Sequence, residues 1–509
     1  MLIVAHERFR PPAPRISYAP RDELPAAPVG RFQIPPQDLP DSGGPRRDAA
    51  LYHELSAGKP SASLRQQAAE FLRRQMAQAD GGARDLPASP QDLQAWMRAG
   101  ALKATDRYSD YLQERRAGAP RRFFSNRAHA LYFLRAVAPT KLVDGAWLYG
   151  LVAHWRNPRF ADLLRTYAEE LGEGSAGKNH VLVYKQLLAQ HGLDMPHDLA
   201  DPFYTQGLVQ LALAFNAEEF LPEVIGFNLG YEQLPLHLLI TAYELNELGL
   251  DPYYFTLHVT IDNADTGHAC RAVKSVMDNL PQVADAESFW RRVQNGLCLS
   301  NAGVDSCEAI HGFHIEQEVM RILAHKSQAG RGAHSDYCRI EGRSVNQWLA
   351  APENIPGFLQ ALQTTGWIQR GRPARESRFW KLLQGDRAEM FGVFSSYELQ
   401  VIHDWIRGEG SHDGLSHEAV GESIRPASFR AAARLATARG ELLLGDNTPD
   451  DLLDLDLPAL REKLKTADPA GREAALVEAM SPSRHWTPAG LYATRAFCRQ
   501  HFHGHAPSA

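Results

Sequence analysis

The sequence predicts an all-α protein, and three observations carry that reading. Apolar residues recur at helical spacing along most of the chain, as in Leu64, Ala68, Phe71, Leu72 and Met76. The periodic stretches are separated by short breaks at Pro139, Gly172 to Gly177, Gly192 to Pro202 and Gly249 to Pro252. No run of alternating Val, Ile and Thr is bounded by hairpin turns, and no strand leads through glycines into a helix as a phosphate loop requires.

Taken in order, residues 1–48 carry Pro11, Pro12, Pro14, Pro20, Pro25 and Pro28, a density that precludes regular pairing and predicts an extended arm. Residues 49–122 form a helical N-terminal region with a break near Gly81 to Pro90 and a second helix from Leu93 to Tyr111. Residues 123–328 string long amphipathic patterns together and predict a helical bundle. Residues 329–509 form a further, mostly helical region of unknown role. It holds a Gly and Arg run at Gly330 to Gly332, helical segments around Asn354 to Trp367 and Phe379 to Trp405, a polar stretch from Gly408 to Gly421 and a last helical part including Asp450 to Lys465. The closing His501, His503 and His505 read as a solvated tail.

At 509 residues, 44% of them apolar, the chain is long enough for more than one folded unit. Its 54 basic and 60 acidic residues are well mixed and give a net charge of -6, so nothing draws it to nucleic acid or an anionic membrane. The five cysteines, Cys270, Cys298, Cys307, Cys338 and Cys498, lack any CxxC spacing and fit a reducing cytoplasm. The apolar start from Leu2 to Ala5 is too brief for a secretory signal, and no stretch is long and apolar enough for a membrane span.

The segment from Leu257 to His268 is the most informative for chemistry. On a helix turning about 100° per residue, Asp262 lies about 40° to one side of His258 and Asp265 about 20° to the other. His268 falls about 80° away on the Asp265 side, within reach if Gly267 or a π-bulge loosens the helix. Two imidazoles with one or two carboxylates suit iron or manganese. A solvated polar face is the competing reading. The bulky Pro252 to Leu257 before it should bury the neighbourhood, where unpartnered charge is costly.

Two further pieces lie upstream. Glu170 and His180 flank the glycines Gly172, Gly174 and Gly177, which could let the backbone bend toward a site; these glycines follow a helix-like stretch, so a dinucleotide loop is set aside. Glu232 sits within an almost wholly apolar helix running from Leu221, and an inward carboxylate there needs a partner, whereas Glu223 next to Pro222 reads as a first-turn acid favoured by the helix dipole. His314 with Glu318 read as part of a structural or substrate-facing helix rather than a second metal pair, and Arg378 or Lys381 as the solvated edge of a packing helix rather than a carboxylate site.

In this order, Glu170 with His180, then Glu232, then His258 with Asp262 and His268, the chain resembles the haem-oxygenase-like diiron oxidases and oxygenases, the iron-containing redox enzymes. The resemblance covers about Phe123 to Leu323. It implies a haem-oxygenase-like helical bundle in which those residues are metal ligands and catalytic, holding two Fe(II) ions per chain, with O2 as co-substrate. One departure stands out: the family places the last His two turns after the first, and Asp265 holds that position here, with His268 following. Either the helix bulges to deliver His268, or Asp265 takes the place itself. The resemblance further implies a small-molecule substrate, an amino acid or amine favoured, oxidised by N-oxygenation, desaturation or C–C cleavage in specialised-metabolite (natural product) biosynthesis. Electrons would come from an external donor, and a homodimer is compatible with it. Two other readings stay open on the residues alone: a haem-using oxygenase with a single axial His, and a non-catalytic helical protein whose buried His and Glu serve packing or an interaction surface.

Overall fold

A computed structural model describes residues 47–79, 86–193, 197–261, 267–384, 388–408 and 453–502, all within the unit Ser42–Ala509. The Pro-rich arm before residue 47, most of the polar stretch after Gly408, and His503 and His505 lie outside the described residues. What is described is helical almost throughout, as the periodicity predicts; the one sheet is a two-stranded antiparallel hairpin pairing Arg339–Ile340 with Arg343–Ser344. Among the described residues no helix is long and apolar enough to cross a membrane.

Local chemistry sets the ends of these helices. The predicted Leu93 to Tyr111 helix runs on to Arg116, and the Asn354 to Trp367 segment shortens to Ile355–Thr364. The Phe379 to Trp405 stretch splits into Arg378–Gln384 and Ser396–Arg407, the second opened by a capping box in which Ser395 and Glu398 satisfy each other's backbone. The Gly172 to Gly177 break is a tight turn, not a phosphate loop. Gly172 (φ 64°) and Gly174 (φ 83°) have left-handed backbones, and a Cβ on Gly172 would stand 2.5 Å from the Asn179 nitrogen.

Two groups of buried side chains form the interior. One joins Tyr52 and Phe71 of the N-terminal helices to Trp147, Tyr167, Phe227 and Val276, and to Leu476 and Phe497 of the C-terminal helices. The other joins Phe124, Tyr184, Tyr254 and Phe255 to Phe358, Ile402 and Trp405. The seam between them positions the site. Helices Ala161–Glu170, Leu221–Tyr231 and His268–Asn279 pack into the first group, whereas His180–Gln190 and Tyr253–Ile261 pack into the second. Consecutive residues Leu142 and Val143 belong to opposite groups, which carries the chain across the seam at Asp144.

The Leu221–Tyr231 helix is held at this seam by unusually close packing against Ala286–Leu299. Gly226 lies against the backbone of Val293, and Gly296 against that of Glu223, so neither position has room for a Cβ. The Glu223 carboxylate is buried and takes two hydrogen bonds from Arg292, at 2.7 and 2.6 Å, so it is a paired acid locking these helices rather than a dipole-favoured surface acid.

Candidate metal centre

Five of the residues singled out in the sequence converge at the seam: Glu170, His180, Glu232, His258 and His268, all buried. They arrive with one the sequence reading missed, Asp144. The ligand-bearing atoms form two groups, Asp144, Glu170, His180 and His258 in one and Glu170, Glu232 and His268 in the other, and within each group all lie within 4.8 Å of one another. Glu170 belongs to both.

Glu170, His180, Glu232 and His268 each sit at the end or start of an element, His258 lies within the Tyr253–Ile261 helix, and Asp144 lies in the turn between Ala138–Lys141 and Ala146–His154. Glu170 ends the Ala161–Glu170 helix and faces Gly145, whose left-handed backbone (φ 79°) leaves the space; a Cβ there would stand 2.8 Å from the Glu170 Cβ. His180 opens the His180–Gln190 helix, capped by the Asn179 side chain, which accepts from the Leu182 nitrogen at 3.0 Å. Asn179 Nδ2 in turn donates to the Leu171 carbonyl (3.2 Å) and to the His485 carbonyl (3.3 Å), which ties the C-terminal helices to this turn. Glu232 is the cap residue closing the Leu221–Tyr231 helix rather than an interior residue.

His258 and His268 stand on two helices, Tyr253–Ile261 and His268–Asn279, with Gly267 in extended conformation capping the second. A single helix loosened by a bulge is therefore not the device that delivers His268. Asp262 and Asp265 lie between these helices, outside the described residues.

The hydrogen bonding shows what the cluster lacks within itself. His258 Nδ1 lies 2.8 Å from the Tyr254 carbonyl, which only accepts, so Nδ1 carries a proton. In a neutral ring the lone pair of Nε2 then faces the Asp144 carboxylate, 3.0 Å away, an arrangement favourable only with a proton or a cation between them. His268 repeats the pattern: Nε2 lies 2.9 Å from Glu169 Oε2 while Nδ1 lies 2.9 Å from Glu232 Oε2 and 3.4 Å from Glu170 Oε1. One neutral imidazole cannot donate to carboxylates on both sides.

His180 Nδ1 is 2.6 Å from Glu170 Oε2 and 3.5 Å from Asp144 Oδ2 without meeting hydrogen-bond geometry toward either, and its Nε2 has no partner. Asp144 Oδ1 and Glu232 Oε1 are likewise buried without partners. Burial works against charge on His180, yet Glu170 and Asp144 raise its imidazole to about 10. Burial also opposes ionisation of Asp144, but Lys141 and the two imidazoles hold its carboxyl well below the usual range. A buried, anion-rich cluster that drives a proton onto an imidazole is a cluster fitted to a cation, and its mixed carboxylate and imidazole donors suit iron.

The surroundings orient these donors. Tyr254 Oη donates to Asp144 Oδ2 at 2.6 Å. Glu169 receives Arg165 Nε at 2.8 Å and is paired with Arg271; although burial opposes it, His268 and the two arginines bring its carboxyl down to about 2. It therefore stands as a fixed anion behind His268, the arrangement that turns the other ring nitrogen toward a metal. Beside Glu170, Glu232 and His258 opens a pocket of about 250 Å³, whose wall also includes Lys141, Tyr231 and His237.

The other sequence candidates are structural. Glu318 is bound by Arg321 at 2.9 and 2.6 Å and accepts from Tyr397 Oη at 2.7 Å, while His314 only precedes its helix. Arg378 lies over the Trp367 ring at 4.2 Å. Asp144 had a signal that went unread: it is a lone acid in the apolar run Leu142 to Leu148, the same argument that singles out Glu232.

Residues 131–300 match the family model described as iron-containing redox enzyme, which bears out the resemblance drawn from the ligand pattern. No curated protein and no solved structure gives a significant match. The match encloses Asp144, Glu170, His180, Glu232, His258 and His268, and the buried donor set they form is one an iron-containing redox enzyme could use.

Proposed function

We propose that the chain is a non-haem diiron oxygenase or oxidase that uses O2 to oxidise an amino acid, an amine or a similar small metabolite in specialised-metabolite biosynthesis. The observation that carries this reading is the double membership of Glu170: Oε2 faces His180 and Oε1 faces His268, so one carboxylate serves both donor groups. A carboxylate with each oxygen turned to a separate donor group is the natural bridge between two cations, whereas an axial haem site needs one imidazole and no such bridge.

Asp144, His180 and His258 would hold one iron, Glu232 and His268 the other, and Glu170 both. Two Fe(II) ions so held would supply the electrons for O2 and the oxidising power toward the substrate, with an external donor as the source of further electrons. The protein's own share is preparation. Tyr254 fixes the Asp144 carboxylate by its hydrogen bond, and the Tyr254 carbonyl fixes the tautomer of His258. Glu169 does the same for His268. The apolar helices on both sides of the seam keep bulk water from the centre, and the pocket admits a small substrate beside it.

The test is the metal content of anaerobically purified protein after reconstitution with Fe(II), followed by optical spectra on exposure to O2. Close to two irons per chain, with an O2-dependent visible transient that Glu232→Ala abolishes, is the expected result. Absence of iron, or a Soret band on addition of haem, would overturn the reading.

A further inference from the structure

The pocket beside the metal centre carries a charge that the donor set does not use. Of the residues forming its wall, Lys141 is the one Lys or Arg among those described. It is half-buried at the end of the short Ala138–Lys141 helix, and its Nζ donates to Tyr231 Oη at 3.3 Å. The ammonium lies 5.4 Å from the Tyr231 ring centre and 5.8 Å from that of Tyr254. Both rings hold the cation in place by their faces and neither neutralises it. No carboxylate among the described residues forms an ion pair with Lys141. The nearby acid whose ionisation it favours is Asp144, which belongs to the donor set and, once bound to a cation, no longer offsets the Lys141 charge.

The rest of the wall mixes apolar residues such as Val137, Leu238 and Val304 with polar ones and carries no further Lys or Arg among the described residues. His237 is kept neutral by burial, Gln206, Gln233 and Asn301 contribute amides, and Asp305 adds an acid. A cation steadied by two aromatic faces and lining a pocket of about 250 Å³ is a binding group for a small anion.

We propose that Lys141 reads a carboxylate on the substrate, so that this pocket selects a small amino acid over the corresponding simple amine. The carboxylate takes the Lys141 ammonium, and Asp305 in the same wall suits the substrate's own ammonium group. This assignment rests on the iron oxidoreductase reading of the adjoining centre for its meaning as a substrate site.

The test is calorimetric titration of the anaerobic, Fe(II)-reconstituted protein with γ-aminobutyrate and with butylamine, which differ by the carboxylate, and iron is assayed in the same samples. The expected result is a preference of roughly tenfold or more for γ-aminobutyrate, the scale of a charge-assisted contact. In Lys141→Gln that preference disappears while the samples still bind iron and butylamine; Lys141→Arg keeps part of it. Absence of a preference in the wild-type protein, including failure to bind either compound, overturns the proposal, as does a preference that survives in Lys141→Gln. Samples that take up no iron count against the metal reading alone. The preference is then read in metal-free Asp144→Asn, which lacks the acid that offsets Lys141; its presence there supports Lys141 and its absence overturns the proposal.

Discussion

The two halves of the centre are built on different foundations. In the half containing His258, the ring is oriented by a main-chain carbonyl one turn earlier on its own helix, so the tautomer is fixed by secondary structure. In the half containing His268, the ring is oriented by the Glu169 side chain, itself held by Arg165 and Arg271 from two different helices. The first arrangement survives any side-chain substitution that leaves the helix intact. The second is a chain of ion pairs that breaks at one residue, and it places a full negative charge behind the imidazole. His268 should therefore be the more strongly donating ligand and also the more easily lost.

Glu170→Ala gives the largest expected effect and erases the comparison, because it removes the residue the two halves share. Bound iron should fall from about two per chain to about none. A variant that retained one iron would mean that the halves are independent. Glu169→Gln comes next and should separate the halves. The loss of such an orienting carboxylate typically costs about 10- to 100-fold in metal affinity, here confined to the site of Glu232 and His268. Competition titrations should then resolve one unchanged and one weakened ion; equal weakening of both would sink the asymmetry.

The pH dependence follows from His180, in the half where the main chain sets the tautomer. Its imidazole is raised from 6.5 to about 10, so in the metal-free fold the proton it carries is stabilising below its unfolded value. That contribution is lost as pH rises through about 10. A metal must displace the proton, so affinity at this half should climb with pH, by up to about tenfold per unit between about pH 6 and about pH 9. Metal titrations at several pH values measure the slope. Asp144→Asn, which removes one of the two acids holding that proton, should flatten it.

Much of this was legible before any coordinates. Helical spacing and Gly or Pro breaks are local signals, and they gave the all-α architecture with errors of a few residues at the ends, as at Arg116 and Thr364. Glu232 was legible because a carboxylate in an apolar run must be buried with a partner, and that argument, extended to Leu142 through Leu148, reaches Asp144 as well. His268 was found for a reason the structure replaces. Periodicity treats Leu257 to His268 as one helix, but the extended Gly267 starts a new one, and the new helix aims His268 at Glu232 from its first residue. The role of Glu169 was not legible: beside Glu170 it reads as a solvated acid, and only the tertiary approach of Arg271 and His268 gives it partners. Nor could sequence spacing foretell that His485, far beyond the matched residues, would brace Asn179.

The smallest expected effect tests the more robust half. Tyr254 contributes twice to it, through its carbonyl on His258 and its hydroxyl on Asp144. Tyr254→Phe removes only the second, leaving the helix and the tautomer of His258 as they are. A hydrogen bond to a charged acceptor contributes roughly 1.5 to 3 kcal/mol, and part of that is recovered when the carboxylate is neutralised by a bound cation. The loss should accordingly show more in the metal-free protein than in the metal-bound one: a lowered melting temperature without metal, and a change of only a few-fold in affinity at this half. A collapse of affinity as large as that from Glu169→Gln would mean that the hydroxyl, rather than the main chain, organises the His258 half, and the contrast between the two foundations would be lost.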